Sequence, residues 1–74
     1  MNRFIGESHL TILKKLKAGK PFTLLSHMQP VMLRFKRDRK MYSAFLLDEL
    51  KQQSLVSEDN ALTVEGELIV LMNS

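Results

Sequence analysis

Apolar residues at Leu10, Ile12, Leu13 and Leu16 recur with the three-to-four-residue spacing of a single helix face. This predicts a first helix over about residues 9–18, with Ser8 as its N-cap. Lys14, Lys15 and Lys17 sit late in it, opposing the partial negative charge of its C-terminus, and Gly19 can take the left-handed conformation that ends it. Pro21 stops continuation, and Phe22-Thr23-Leu24-Leu25 reads either as a short strand or as an extended connector. Gln29-Pro30 suits a helix start, because proline is tolerated in a first turn. Val31, Met32, Leu33 and Phe35 then predict a second helix of about two turns.

From Arg34 to Lys40 the chain is too polar for a core, after which Met41, Ala44, Phe45, Leu46, Leu47 and Leu50 resume a helical pattern. A third helix should therefore run to about Gln53. Ser54-Leu55-Val56 turns toward strand character, and Ser57-Glu58-Asp59-Asn60 is a cluster of turn formers leading back to Ala61-Leu62-Thr63. The last stretch has two readings. Thr63 can cap a helix over 64–72, or Glu65-Gly66 can form the corner of a second hairpin that feeds Ile69-Val70-Leu71 as a strand.

Seventy-four residues leave room for one core, so residues 1–74 are expected to form a single domain. The 45% hydrophobic content is enough to build it. Cysteine is absent, which removes both a disulfide framework and a thiolate zinc site. The longest apolar run, Leu68 to Met72, is far too short to cross a bilayer, and no apolar signal-peptide stretch opens the chain. A cytoplasmic location without membrane attachment is the expectation.

Charge changes the picture more than composition does. Residues 1–40 carry ten basic and two acidic side chains, a balance of +8, whereas residues 41–74 carry one basic and six acidic, a balance of −5. Such polarity suits a protein that offers a positive face to a polyanion while keeping another surface acidic. Catalytic signatures are missing: there is no HExxH, Gly-rich phosphate loop or nucleophile elbow, and His9 and His27 lack the spacing of a metal pair. No enzyme activity, cofactor or metal is expected. Both histidines read as structural or surface residues.

The segment Leu46-Leu47-Asp48-Glu49-Leu50-Lys51-Gln52-Gln53-Ser54-Leu55-Val56, followed by a polar turn and Leu62-Thr63-Val64-Glu65-Gly66, resembles the latter half of winged-helix repressors of the multidrug-resistance regulator type. The resemblance spans most of residues 29–66. It implies that Leu47 and Leu50 seat a recognition helix, that Leu55 and Val56 begin a wing, and that Leu62 and Thr63 close it. The implied fold is α+β and mostly helical, a winged helix-turn-helix with three to four helices and a small β-hairpin. The resemblance also favours the helical reading of residues 64–72. Three departures are visible: Lys36-Arg37-Asp38-Arg39 offers no apolar residue to the turn, Ser54 stands where the family commonly has glycine, and Phe45 lies on the side that the family turns to DNA. The wing tip carries Glu58 and Asp59, which phosphate repels, where the family often has cations.

The resemblance implies double-stranded DNA as the partner and a role in transcription regulation. With the third helix leading into the major groove, Arg34, Lys36, Arg37, Arg39, Lys40, Tyr42 and Ser43 are the expected DNA contacts. Arg39 is the candidate for a guanine edge, and Lys36, Arg37 and Lys40 are candidates for phosphate. The alternative is a protein-interaction module, an inhibitor or adaptor of phage or mobile-element type, that grips its partner through Met28, Met32, Phe35 and Phe45. Leu68 to Met72 is the natural seam for a homodimer, or else packs on the first helix.

Overall fold

A computed structural model describes residues 5–73. Its order is helix α1 (Glu7–Lys17), strands β1 (Phe22–Leu25), β2 (Met32–Phe35) and β3 (Met41–Ser43), then helices α2 (Ala44–Gln52) and α3 (Val64–Met72). The three strands form an antiparallel meander in the order β1-β2-β3, so the domain is α+β with three helices.

Helix α1 begins two residues earlier than its Ser8 cap would place it. Gly6 is the N-cap, and its N–H donates to Nδ1 of His9 at 3.1 Å. A side chain in the third helical position thus reaches back to satisfy a backbone donor that the helix cannot. At the far end Gly19 takes φ 77°, while the N–H groups of Gly19 and Lys20 close onto the carbonyls of Leu16 and Lys15.

The predicted second helix over Pro30–Phe35 is instead strand β2, and the third helix starts at Ala44, not at Met41. The reason is a period of two. Leu33 and Phe35 are fully buried while Arg34 between them is exposed, and Tyr42 is buried between Met41 and Ser43 in the same manner. Pairing Phe22 with Phe35, and Leu33 with both Leu24 and Tyr42, puts these side chains on one face of the sheet. Thr23, Arg34 and Met41 form one row of the opposite face, and Leu25, Met32 and Ser43 form the next. A helix over 30–35 would have left one of Leu33 and Phe35 facing water. The open choice at residues 22–25 therefore resolves as a strand.

Ile12 and Leu13 of α1, Leu47 and Leu50 of α2, Leu55 and Val56 beyond it, and Val70 of α3 complete the core with Leu33, Phe35 and Tyr42. Phe35 is its largest fully buried side chain, with Phe22 and Tyr42 edge-on to it at centroid distances of 5.7 and 6.3 Å.

Residues 64–72 are helical. The predicted wing hairpin is reduced to one antiparallel bridge, Val56 with Leu62, around the turn at Ser57–Asn60. Ser54 takes φ 62°, and the Leu55 N–H returns to the Leu50 carbonyl, closing α2. The Thr63 hydroxyl donates to the Ser54 carbonyl at 2.7 Å and accepts from the Gly66 N–H at 3.1 Å, so one side chain both caps α3 and ties it to the end of α2. A Cβ on Gly66 would overlap the Leu55 carbonyl and lie 2.8 Å from Leu62 Cδ1. Glycine is therefore required for this close approach.

Candidate nucleic-acid interface

Strands β2 and β3 reverse through residues 36–40, and four of these five side chains are cations. The Asp38 N–H donates to the Phe35 carbonyl at 3.0 Å, which makes Lys36 and Arg37 the two central residues of a tight turn. Arg37 has φ 66°, whereas Lys36 is not among the residues with positive φ. That sign pattern belongs to the turn type that normally places glycine or asparagine at its third position. An L side chain there costs about 1 kcal/mol.

Asp38 fastens this turn to the rest of the molecule. Its carboxylate lies 2.6 Å from Nζ of Lys15 and accepts from the Lys40 N–H at 3.3 Å. The hydrogen bond from Lys15, followed by that from the Lys40 backbone, holds the Asp38 carboxyl below its ordinary 3.8. The same contact with Asp38 raises Lys15 above its ordinary 10.5. Nζ of Lys15 also lies over the Phe35 ring at 5.6 Å from its centre, and Nζ of Lys40 over that of Tyr42 at 5.2 Å.

The Lys36 N–H donates to the Pro21 carbonyl at 2.9 Å, extending the β1–β2 ladder by one residue. This brings Lys20 beside the turn. Lys15, Lys20, Pro21, Lys36, Arg37 and Asp38 together line an open depression of about 520 Å³. Among the described residues, Lys20, Lys36 and Arg37 enter no ion pair. Arg34, Arg39 and Lys40 are exposed on the same hairpin. Lys15 and Lys20 were not among the expected site residues. Nothing local in the sequence marks them, because strand pairing brings Lys20, and the ion pair with Asp38 brings Lys15, to a turn 16 or more positions away.

The remaining expected contacts are placed differently. Tyr42 is 4% exposed and belongs to the core, so it cannot reach a duplex as anticipated. Ser43 is half-buried, and its hydroxyl caps α2 by accepting from the Phe45 N–H at 3.3 Å. Phe35 is completely buried and drops out of the expected protein-contact cluster; Met28 and Met32 are half-buried. Phe45, 65% exposed, is the member that faces solvent, beside a second depression of about 320 Å³ lined by Gln29, Pro30, Val31, Ala44, Phe45 and Asp48.

Helix α2 is a poor surface for phosphate because it presents Asp48 and Glu49. Glu49 accepts from Nε2 of His9 at 3.0 Å; with Nδ1 of His9 already taking the Gly6 N–H, the ring proton resides on Nε2. His9 is thus a buried strut between α1 and α2. At the other reversal Glu58 and Asp59 are exposed, and the Ser57 hydroxyl donates to the Asp59 carboxylate, which holds that carboxyl below its ordinary value. Among the described residues no cluster of histidine and carboxylate side chains could hold a metal ion, and no helix is long and apolar enough to cross a membrane. Comparison of the chain with protein-family models, curated proteins and solved structures gives no match.

Proposed function

We propose that this chain is a small DNA-binding regulator that holds the phosphate backbone through the β2–β3 hairpin and the adjoining end of α1. One observation carries the reading: Arg34, Lys36, Arg37, Arg39 and Lys40 lie exposed on one hairpin, with Lys15 and Lys20 brought beside its tip. A hairpin of exposed cations with its carboxylate already committed to Lys15 attracts a polyanion. The binding is mostly blind to sequence, since lysine and arginine at a turn meet phosphates before they meet base edges. The order α2, short reversal, α3, with its Leu-x-x-Leu and Leu-Thr-x-x-Gly residues, supports a winged-helix variant in which the cationic hairpin precedes the helix instead of following it.

Salt dependence tests this directly. Five neutralised phosphates give a log–log slope of about −4 to −5 for binding to a mixed-sequence duplex. A binding constant indifferent to salt, or one left intact after Arg37, Arg39 and Lys40 are replaced by alanine, rules the mechanism out.

A second reading, a protein-interaction module, draws on Phe45 and on α3. Val64, Leu68, Leu71 and Met72 of α3 are exposed along one helical stripe, and an apolar stripe of this kind is a usual mark of a protein contact. Stable capture of a defined partner through the Phe45 surface, with no retention of duplex DNA, is the result that favours it.

A further inference from the structure

The depression beside the turn differs from the rest of the basic hairpin in being concave, and its construction is specific. Lys15 on α1, Lys20 before β1, and Lys36 and Arg37 after β2 are distant in sequence, yet they border one hollow of about 520 Å³. That volume falls in the range of about 300–1,000 Å³ usual for small-ligand sites. The turn's backbone supplies little to a ligand, because the N–H groups of Lys36 and Asp38 are spent on the Pro21 and Phe35 carbonyls. Side-chain cations must do the binding. Among the described residues no aromatic side chain lines the hollow, so these offer a base nothing to stack on.

Arg37 adds an independent observation. Its left-handed backbone belongs at a glycine or asparagine position, and the charged side chain is retained at the expense of turn stability. Backbone strain of this sort gathers at sites where a side chain is needed for function. The neighbouring Lys15–Asp38 pair, at 2.6 Å, fixes the turn against α1 and so fixes the direction from which Arg37 and Lys36 approach the hollow.

We infer that this hollow is a phosphate-binding site in which Lys20, Lys36 and Arg37 hold one backbone phosphate of a nucleic-acid strand, with Arg37 as the principal contact. The inference rests on the DNA-binding reading and sharpens it: one phosphate is seated in a defined site, and the others are met by the open ridge. The planar guanidinium can give two parallel hydrogen bonds to phosphate oxygens, which an ammonium cannot.

The test compares Arg37→Gly with Arg39→Ala. Arg37→Gly relieves the backbone and removes the contact, so its thermal midpoint rises by about 4 °C while duplex affinity falls about tenfold. Arg39→Ala, outside the hollow, weakens binding by less and leaves the midpoint unchanged. Lys20→Ala, which lies between α1 and β1, should also weaken binding, by less than Arg37→Gly and by more than Arg39→Ala. Equal losses at Arg37 and Arg39, with Lys20→Ala silent, overturn the site while leaving the DNA reading intact. An NMR titration with inorganic phosphate and with a phosphate monoester separates the two claims further. Saturable shifts at residues 20, 36 and 37 support the site even where the duplex fails to bind, an outcome that would remove the DNA reading alone. Absence of saturable shifts in the phosphate and duplex titrations overturns both.

Discussion

Two chain reversals in this molecule share a left-handed residue and little else. The reversal after β2 carries Lys36, Arg37, Arg39 and Lys40 around Asp38, and its φ of 66° falls on Arg37. The reversal after Val56 carries Glu58 and Asp59, and its φ of 64° falls on Asn60. Asparagine takes that backbone more readily than arginine, so the acidic turn has residues suited to its shape while the basic one carries a side chain that its shape disfavours. The acidic turn is anchored by neutral hydrogen bonds: it leads into Thr63, whose hydroxyl is bonded to the Ser54 carbonyl and the Gly66 N–H, whereas the basic turn is anchored by the ion pair of Lys15 with Asp38. One reversal is built for fit, the other for the charge it displays.

The largest effect that could break this contrast is on binding. Replacing Lys36, Arg37, Arg39 and Lys40 together by alanine should lower duplex affinity by about a hundredfold or more and flatten the salt slope by about four units. Replacing Glu58 and Asp59 by alanine should change neither, as fluorescence anisotropy across a salt series would show. Equal responses at the two turns would end the distinction.

The next effect is on folding. Gly66→Ala forces a methyl group against the Leu55 carbonyl, so it should destabilise by about 3 kcal/mol, with a midpoint at least about 10 °C lower. An unchanged melting curve would mean that α3 does not need the close approach described above.

A smaller effect separates the two left-handed positions. Arg37→Gly should stabilise by about 0.5–1 kcal/mol, and Asn60→Gly by no more than a few tenths, because asparagine is already at ease there. Urea unfolding of both variants settles the matter; a larger gain at Asn60 would reverse the ranking.

The smallest effect is a pH dependence. Asp38 binds its proton less readily folded than unfolded, so its contribution to stability is present above about pH 3.8, the ordinary value of the carboxyl. It is lost as pH falls through the lower folded value. Lys15 works in the opposite sense: its contribution is present below about pH 10.5 and lost as pH rises through the raised value. Asp38→Asn should flatten the acid limb of stability against pH. An acid limb unaltered by Asp38→Asn would mean that the pair with Lys15 does not form.

Much of this fold is legible in the residue pattern. Leucines three apart and lysines late in the segment mark α1, and Thr63 offers a cap for α3, while Glu65-Gly66 reads equally as the corner of a hairpin that does not form. The turn at Ser57–Asn60 follows from its composition. What misleads is Val31-Met32-Leu33-Arg34-Phe35, where a run of apolar residues after proline imitates a short helix. The alternation of Leu33 and Phe35 with Arg34 and Lys36 is the signal of a half-buried strand, and it extends to Met41-Tyr42-Ser43. Missing it exposes Tyr42 and Phe35, which the fold buries. The cationic cluster itself can be read from the sequence, but its hollow cannot, because Lys20 reaches it through the pairing of β1 with β2 and Lys15 through the ion pair of α1 with Asp38.

The central claim is that the basic hairpin, and not α2 or the acidic turn, meets DNA. It is tested most directly by an NMR titration of the protein with a mixed duplex pool. Concerted amide shifts at residues 15, 20 and 34–40, with residues 45–52 and 57–61 undisturbed, are the predicted result. Shifts concentrated at 45–52 or 57–61 while 34–40 stay still would contradict it.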